Sequence, residues 1–165
     1  MTPEGESYCR YLAIVRDAIL AELEAVPEEA LNWPLGMPET NTLYASALHA
    51  CMSSRDWIVV RVGGGSIPRD RASEFTAQGR LAELRDRWTE TLAQTRHTLD
   101  RMVAVDYEAP RVLRFQATGT EREGNVRDCL LHVIEHTNIH LGQIQLGRQL
   151  WEHRHHANPS QSGSG

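Results

Sequence analysis

The chain has 165 residues, 41% of them hydrophobic and 24% charged, a composition that fits one domain with a core large enough to fold without disulfides or a structural metal. Acidic residues outnumber basic ones 22 to 17 and the arginines are spread along the chain, which argues against nucleic acid as a partner. With neither a secretory leader nor a stretch approaching the ~18 apolar residues of a membrane span, we expect a cytoplasmic protein with no membrane partner.

The first predicted helix runs from about residue 6 to residue 25. Apolar side chains recur there every three or four residues, the period of one face of an α-helix, at Tyr8, Leu12, Val15, Ile19 and Leu23. Pro27 ends the pattern. The segment that follows, up to about residue 40, is predicted to be irregular because its prolines and its glycine exclude a regular element, apart from one possible helical turn at EEAL.

The second predicted helix covers about residues 42–62, with Asn41 as its N-cap. Its inward stripe of small and apolar residues includes His49. A single histidine at such a position is more often a core residue with a hydrogen-bond partner than a metal ligand. Three glycines follow the helix, but they lack the Gly-Lys-Ser/Thr sequence and the preceding strand that a phosphate-binding loop requires.

The third helix is predicted at about residues 77–104, and a fourth at 125–151 that begins with Asn125 as its cap. The apolar seam of the third helix has the spacing of a left-handed bundle: Leu81, Leu84, Trp88, Leu92, Thr95, Leu99 and Met102. Between these helices, VLRFQAT predicts a short strand or an extended crossover segment. We therefore expect a predominantly α-helical protein whose four long helices form a single domain over residues 1–152, followed by a disordered His/Ser/Gly-rich tail at 153–165.

The fourth helix carries three histidines at four-residue spacing, His132, His136 and His140. Side chains four residues apart share a helix face with their Cβ atoms about 6 Å apart, so two imidazoles can converge on one ion. From the first histidine to the third the axis rises about 12 Å, so only one adjacent pair can serve a given ion. Spacing alone leaves open which pair binds, and whether all three are ordinary hydrogen-bonded residues. Because Glu135 precedes His136, the pattern disfavours a zincin-type protease.

Several motifs occur along the chain in a defined order. LNW (31–33) precedes a proline-rich loop, N-T-L-x(5)-H (41–49) lies on the second helix, a Gly-Gly pair and then Phe75 follow, and H-x(3)-H-x-G-Q (136–143) lies near the end of the last helix. In this order the motifs resemble the DinB/YfiT-like family, and the resemblance covers nearly the whole chain. The resemblance implies an all-α, up-down four-helix bundle with a long crossover connection, often dimeric, that holds one divalent ion on three histidines.

Carried onto this chain, the resemblance implies His49, His136 and His140 as the metal ligands, and thus favours the second pair of the last helix over the first. The expected ion is a divalent transition metal, one per chain, with zinc or nickel foremost and iron or manganese as alternatives. Three imidazoles leave coordination positions open, which is typical of a catalytic ion. Some relatives resemble metal-dependent transferases and isomerases that activate a low-molecular-weight thiol, and this is our leading functional hypothesis.

Two other classes of function stay open at this point. One is a non-catalytic metal-binding module for stress response or protein interaction. The other is a metal-dependent hydrolase, which a carboxylate such as Asp56 within one water of the ion would favour. Asp56 and Gln143 are candidates for orienting the imidazoles, although a surface salt bridge and a packing amide are at least as common for such residues. No general acid or base, and no catalytic side chain, is identified from the sequence.

Three further expectations concern behaviour in solution. Metal binding should fail below the ordinary imidazole pKa of about 6.5, since a protonated imidazole has no lone pair to donate. The fold should survive without the ion.

Leu131, Ile134 and Ile139 lie off the histidine face, so together with the family resemblance they predict a homodimer; the alternative is that the crossover segment covers them.

Overall fold

The protein is mostly helical, with one β-hairpin, in a computed structural model that describes residues 1–37, 40–115 and 117–156. This confirms the predicted four-helix bundle. In chain order the elements are α1 (Pro3–Glu24), α2 (Glu28–Leu31), α3 (Leu43–Arg55), a π-helical segment (Asp56–Val62), α4 (Arg71–Glu74), α5 (Leu81–Asp100), a 3-10 segment (Ala104–Glu108), β1 (Pro110–Phe115), β2 (Thr120–Asn125) and α6 (Val126–His156).

The core lies between the four long helices, because α1 and α3 each pack against both α5 and α6. The predicted stripes of α1 and α5 supply much of it, with Ile19 and Trp88 fully buried. Helix α3 is buried on every side from Leu43 to Cys51. A helix buried all round has no polar face, so its sequence shows little amphipathic periodicity. Among the described helices, no segment is both long and apolar enough to cross a membrane.

The second predicted helix is found at the expected bounds, with two differences. Its N-cap is Thr42 rather than Asn41, since the Thr42 hydroxyl accepts a hydrogen bond from the backbone N–H of Ala45 at 3.1 Å. Its last seven residues, Asp56–Val62, form a π-helix. Such wider turns occur preferentially at functional sites. Here the wider turn stacks the guanidinium of Arg61 over the ring of Trp57, with 4.1 Å from the guanidinium carbon to the ring centroid.

Helix α6 begins at a reciprocal cap, which confirms Asn125 as the N-cap. The Asn125 side chain accepts from the backbone N–H of Asp128 at 3.0 Å, and the Asp128 carboxylate accepts from the backbone N–H of Asn125 at 2.9 Å. The helix continues to His156, so residues 153–156, assigned to the tail from sequence, are helical. The rest of the predicted tail, 157–165, lies outside the described residues.

The crossover between α5 and α6 contains the antiparallel hairpin, with Pro110 paired to Asn125 and Phe115 to Thr120. The first strand confirms the strand alternative for VLRFQAT, with Leu113 fully buried. The second strand, TEREGN, was missed because it has no apolar alternation and lies mostly exposed. Since α6 starts directly after β2, the hairpin is placed beside the first turns of the helix that carries the three histidines.

Candidate metal centre

Three histidines from two helices meet inside the bundle. His49 comes from the middle of α3, and His136 and His140 come from successive turns of α6. One ring nitrogen of each lies within 4.8 Å of the others. The Nε2 atoms of His136 and His140 are 3.3 Å apart. His49 and His140 are buried, with 3% and 8% of their surfaces exposed.

His49 is oriented by Glu74, a residue that sequence reasoning did not single out. The Nδ1 atom of His49 lies 2.7 Å from Oε2 of Glu74. A carboxylate can only accept this hydrogen bond, so Nδ1 carries a proton, and in the neutral imidazole the other ring nitrogen, Nε2, is the one with the lone pair. This carboxylate–histidine pairing is the one that fixes the tautomer of metal-bound histidines. His49 is therefore arranged as a nitrogen donor.

Glu74 is itself held by Arg69. The Nε of Arg69 donates to Oε1 at 2.6 Å and its Nη2 donates to Oε2 at 2.9 Å, a two-point ion pair. Burial opposes ionisation of Glu74, but the hydrogen bonds from Arg69 and His49 outweigh it and hold the pKa of this carboxyl below its ordinary value. Glu74 therefore stays charged at neutral pH while only 4% of its surface is exposed.

The short helix α4 places this carboxylate. Asp70 caps it by accepting from the backbone N–H groups of Ala72 and Ser73. Four residues inside a polar connecting segment give no periodic signal from which this helix could be predicted. The burial of Glu74 follows from packing of α4 against α3, a tertiary contact that local pattern does not encode.

His136 and His140 are neutral at physiological pH. Burial, with the neighbouring histidines, lowers the pKa of His136 to about 3, and burial with the nearby His49 lowers that of His140 to about 4. These two imidazoles keep their lone pairs well below pH 6.5. For these two ligands, protonation competes with metal binding only at a pH below the ordinary imidazole pKa.

The same shifts make the stability of the metal-free protein depend on pH. Unfolded histidines bind protons below a pKa of about 6.5, whereas folded His136 and His140 do not until about 3 and about 4. Between these values the unfolded chain binds more protons, so the free energy of unfolding falls as the pH falls. We expect a lower urea midpoint at about pH 5 than at about pH 7, and a smaller difference in H136N/H140N. Equal pH dependence in both proteins would contradict this assignment.

His132 lies outside the group of three. Its ring packs 4.6 Å from that of Trp57 and 5.0 Å from that of Phe115, measured between centroids, and 5.5 Å from that of His136. Burial lowers its pKa. The first histidine of α6 thus belongs to an aromatic wall, and its role differs from that of the other two.

The two candidates for orienting the imidazoles are placed elsewhere. Asp56 pairs with Arg61 at 2.9 Å and with Arg69 at 3.4 Å, so it is linked to His49 only through Arg69 and Glu74. Gln143 is exposed on α6, although its amide opposes the fall in the pKa of His140. Glu74 orients His49, the role for which Asp56 had been a candidate.

A cavity of about 350 Å³ adjoins two of the three histidines, His49 and His136. Its lining includes His49 and His136, the wall formed by Trp57, Phe115 and His132, and four arginines, Arg61, Arg69, Arg71 and Arg114. A volume in this range accommodates a small molecule. A ligand in the cavity would contact any group held by the histidines.

The donor set fits a divalent transition metal. A tetrahedral ion with metal–nitrogen bonds of about 2.0–2.1 Å places its nitrogen ligands roughly 3.4 Å apart, and the Nε2 atoms of His136 and His140 are 3.3 Å apart. Imidazole suits zinc, nickel, copper and iron. The cluster is therefore consistent with a metal site that has three protein ligands and an open side.

Comparison with known proteins agrees with this architecture. The DinB superfamily matches residues 11–144. The crystal structure of a conserved protein from Enterococcus faecalis superposes with a TM-score of 0.68 over 91% of this chain and 98% of that one, at 13% sequence identity. At that identity the likeness concerns the fold alone. No curated protein matches the chain in sequence.

Proposed function

Because this chain belongs to the DinB superfamily, we propose that it binds one divalent metal ion through His49, His136 and His140 and uses that ion in catalysis. The observation that carries the proposal is the convergence of three imidazoles, two of which, those of His49 and His136, line a cavity large enough for a substrate. Zinc or nickel is the foremost candidate, with iron or manganese as alternatives. Three protein ligands leave a coordination position for a reactant, as in catalytic sites.

The reaction that we propose is transfer or isomerisation dependent on a low-molecular-weight thiol, carried out in the cytoplasm. When bound, the ion would supply Lewis acidity that lowers the pKa of a thiol at the open position. The chain's own contribution is to hold His49 through Glu74 and to enclose the reactants with Trp57, Phe115 and His132. Sulfur would form a bond to an electrophilic carbon as that carbon's leaving group departs with its electron pair.

A hydrolase has less support. Asp56, the carboxylate that would have favoured it, is engaged by Arg61 and Arg69. Within the described part of the chain, the cavity lining contains no carboxylate. Glu74 is buried and occupied by His49 and Arg69. The described cavity lining thus offers no carboxylate base for activating water.

The test is a metal assay followed by a turnover assay, on protein purified without a histidine tag. Elemental analysis should find one transition metal per chain. With a panel of thiols and an aryl halide as electrophile, we expect metal-dependent formation of the thioether, lost in H140A and retained in H97A, whose histidine is exposed on α5. Metal binding without turnover would favour a non-catalytic module, and thiol-free hydrolysis would favour a hydrolase.

We also propose that the protein is a homodimer. Leu131 and Ile139 are 53% and 54% exposed on α6, so the described crossover segment does not cover them, whereas Ile134 packs partly against the core. Light scattering at micromolar concentration should give twice the chain mass. A monomeric mass would contradict the proposal.

A further inference from the structure

The cavity beside His49 and His136 is lined by basic side chains, although the protein as a whole is acidic. The chain carries a net charge of −5. The cavity lining nevertheless contains four arginines and, among the described residues, neither aspartate nor glutamate. A concave surface lined by charge of one sign raises the local concentration of the opposite ion. The cavity is therefore suited to an anion.

Three of these arginines already have partners. Arg61 donates to Asp56 and Arg69 donates to Glu74, so these four groups together carry no net charge. Arg114 pairs with Glu121 at 2.7 Å, but both side chains are more than half exposed, where an ion pair is weak. Each of these three guanidinium groups thus has a carboxylate partner, and none of them is wholly free to bind a ligand.

Arg71 is different. Within the described residues it makes no salt bridge, and its guanidinium carbon lies 4.8 Å from the centroid of the Phe75 ring. That ring is in turn 4.6 Å from the ring of His49. The positive charge of Arg71 acts on His140, whose pKa it helps to lower. A half-buried guanidinium with all five of its N–H donors available thus lies close to the candidate metal ligands.

The remaining wall is aromatic. Trp57, Phe115 and His132 pack with ring centroids 4.6–5.8 Å apart, and all three line the cavity. The guanidinium carbon of Arg61 lies 4.1 Å from the centroid of the Trp57 ring. Such a wall favours a flat apolar body over a small inorganic ion. Cationic and aromatic groups are therefore present in one cavity.

We propose that this cavity binds a small organic anion, with a carboxylate or phosphate head on Arg71 and a flat apolar body against Trp57, Phe115 and His132. A guanidinium matches both head groups through paired N–H donors. The inference deepens the proposed function, on which it rests for the reaction itself, by naming the substrate class: an anionic electrophile or thiol. Recognition of the anion by Arg71 does not require the ion.

Calorimetry with three probes of similar shape tests the charge requirement. Benzoate and phenyl phosphate carry the two candidate head groups, and benzamide is the neutral counterpart. In both metal-free and zinc-loaded protein, we expect at least one anion to bind about 10-fold or more tightly than benzamide, since a charged hydrogen bond is stronger than a neutral one. Failure of both anions to bind either form would overturn the proposal, and so would equal binding of benzamide.

Variants test the assignment to Arg71. R71Q should weaken binding of the anion by about 10-fold, R71K by less, and R96Q should have no effect, since Arg96 is exposed on α5 and pairs with Glu6. The thermal midpoint and zinc stoichiometry of each variant check that the fold is unchanged. Anion binding that persists unchanged in R71Q would overturn the proposal. The same holds if the anion binds only to the zinc-loaded protein and R71Q does not weaken that binding. Arg71-dependent binding by a protein that binds no metal would sustain this inference while the proposed function failed.

Discussion

Alanine at His49, His136 or His140 should weaken zinc binding by more than about 100-fold, while His132→Ala should leave one ion per chain. Loss of a residue that merely orients a ligand costs about 10–100-fold in affinity, so loss of a ligand itself should cost more. The nitrogens of the three grouped histidines lie within 4.8 Å of one another. His132 instead packs on Trp57 and Phe115. Loss of any one of the three grouped histidines should therefore weaken zinc binding, whereas loss of His132 should not.

The measurement is competition for zinc against a chromophoric chelator. Histidines near the end of the chain could bind metal independently, so the background carries glutamine at 153, 155 and 156. Circular dichroism of the metal-free variants should match that of the wild type, because the core between α1, α3, α5 and α6 is formed without the ion. Metal lost in H132A but retained in H140A would show that the other pair of α6 binds. A metal-free protein that unfolds would make the site structural.

The parts of the fold that periodic pattern specifies were predictable. The apolar seam of α5 and the stripe of α1 each repeat with helical period, and Pro27 and the glycines after Val62 separate the elements. Spacing on α6 gave a histidine pair but left its identity open, because 132/136 and 136/140 are equivalent in spacing. The choice of pair, and the addition of His49 from another helix, came from family resemblance. The grouping of these three histidines in the structure agrees with that choice.

The features that could not be predicted from the sequence depend on contacts between distant parts of the chain. The π-helix at Asp56–Val62 has an ordinary helical sequence, and nothing local distinguishes its wider turns. Strand β2 is specified by its pairing with β1 rather than by its own polar side chains. Glu74 is a charged residue in a polar segment, for which exposure is the usual expectation. Its burial depends on Arg69 and His49, which only the folded chain brings to it.

Substitution of Glu74 should cause the second large loss of zinc affinity. E74A removes both the acceptor for Nδ1 of His49 and the partner of Arg69, whose side chain is 12% exposed. We expect E74A to weaken zinc binding by about 100-fold and E74Q by about 10-fold, the span typical of residues that orient a metal ligand. Glutamine retains an oxygen that can accept from Nδ1 but lacks the charge. E135Q is the matched control, because Glu135 is 71% exposed beside His136.

Stability separates two ways in which Glu74 could act. Without its carboxylate, the largely buried Arg69 keeps, among the described residues, only the longer contact to Asp56 at 3.4 Å, and a poorly paired buried charge is destabilising. The thermal midpoint of the metal-free protein should therefore fall in both variants. If Glu74 also orients His49, the loss of zinc affinity should persist in E74Q after correction for the folded fraction. If E74Q melts earlier yet binds zinc like the wild type, the carboxylate serves only to hold Arg69, and His49 is oriented by its packing against Phe75.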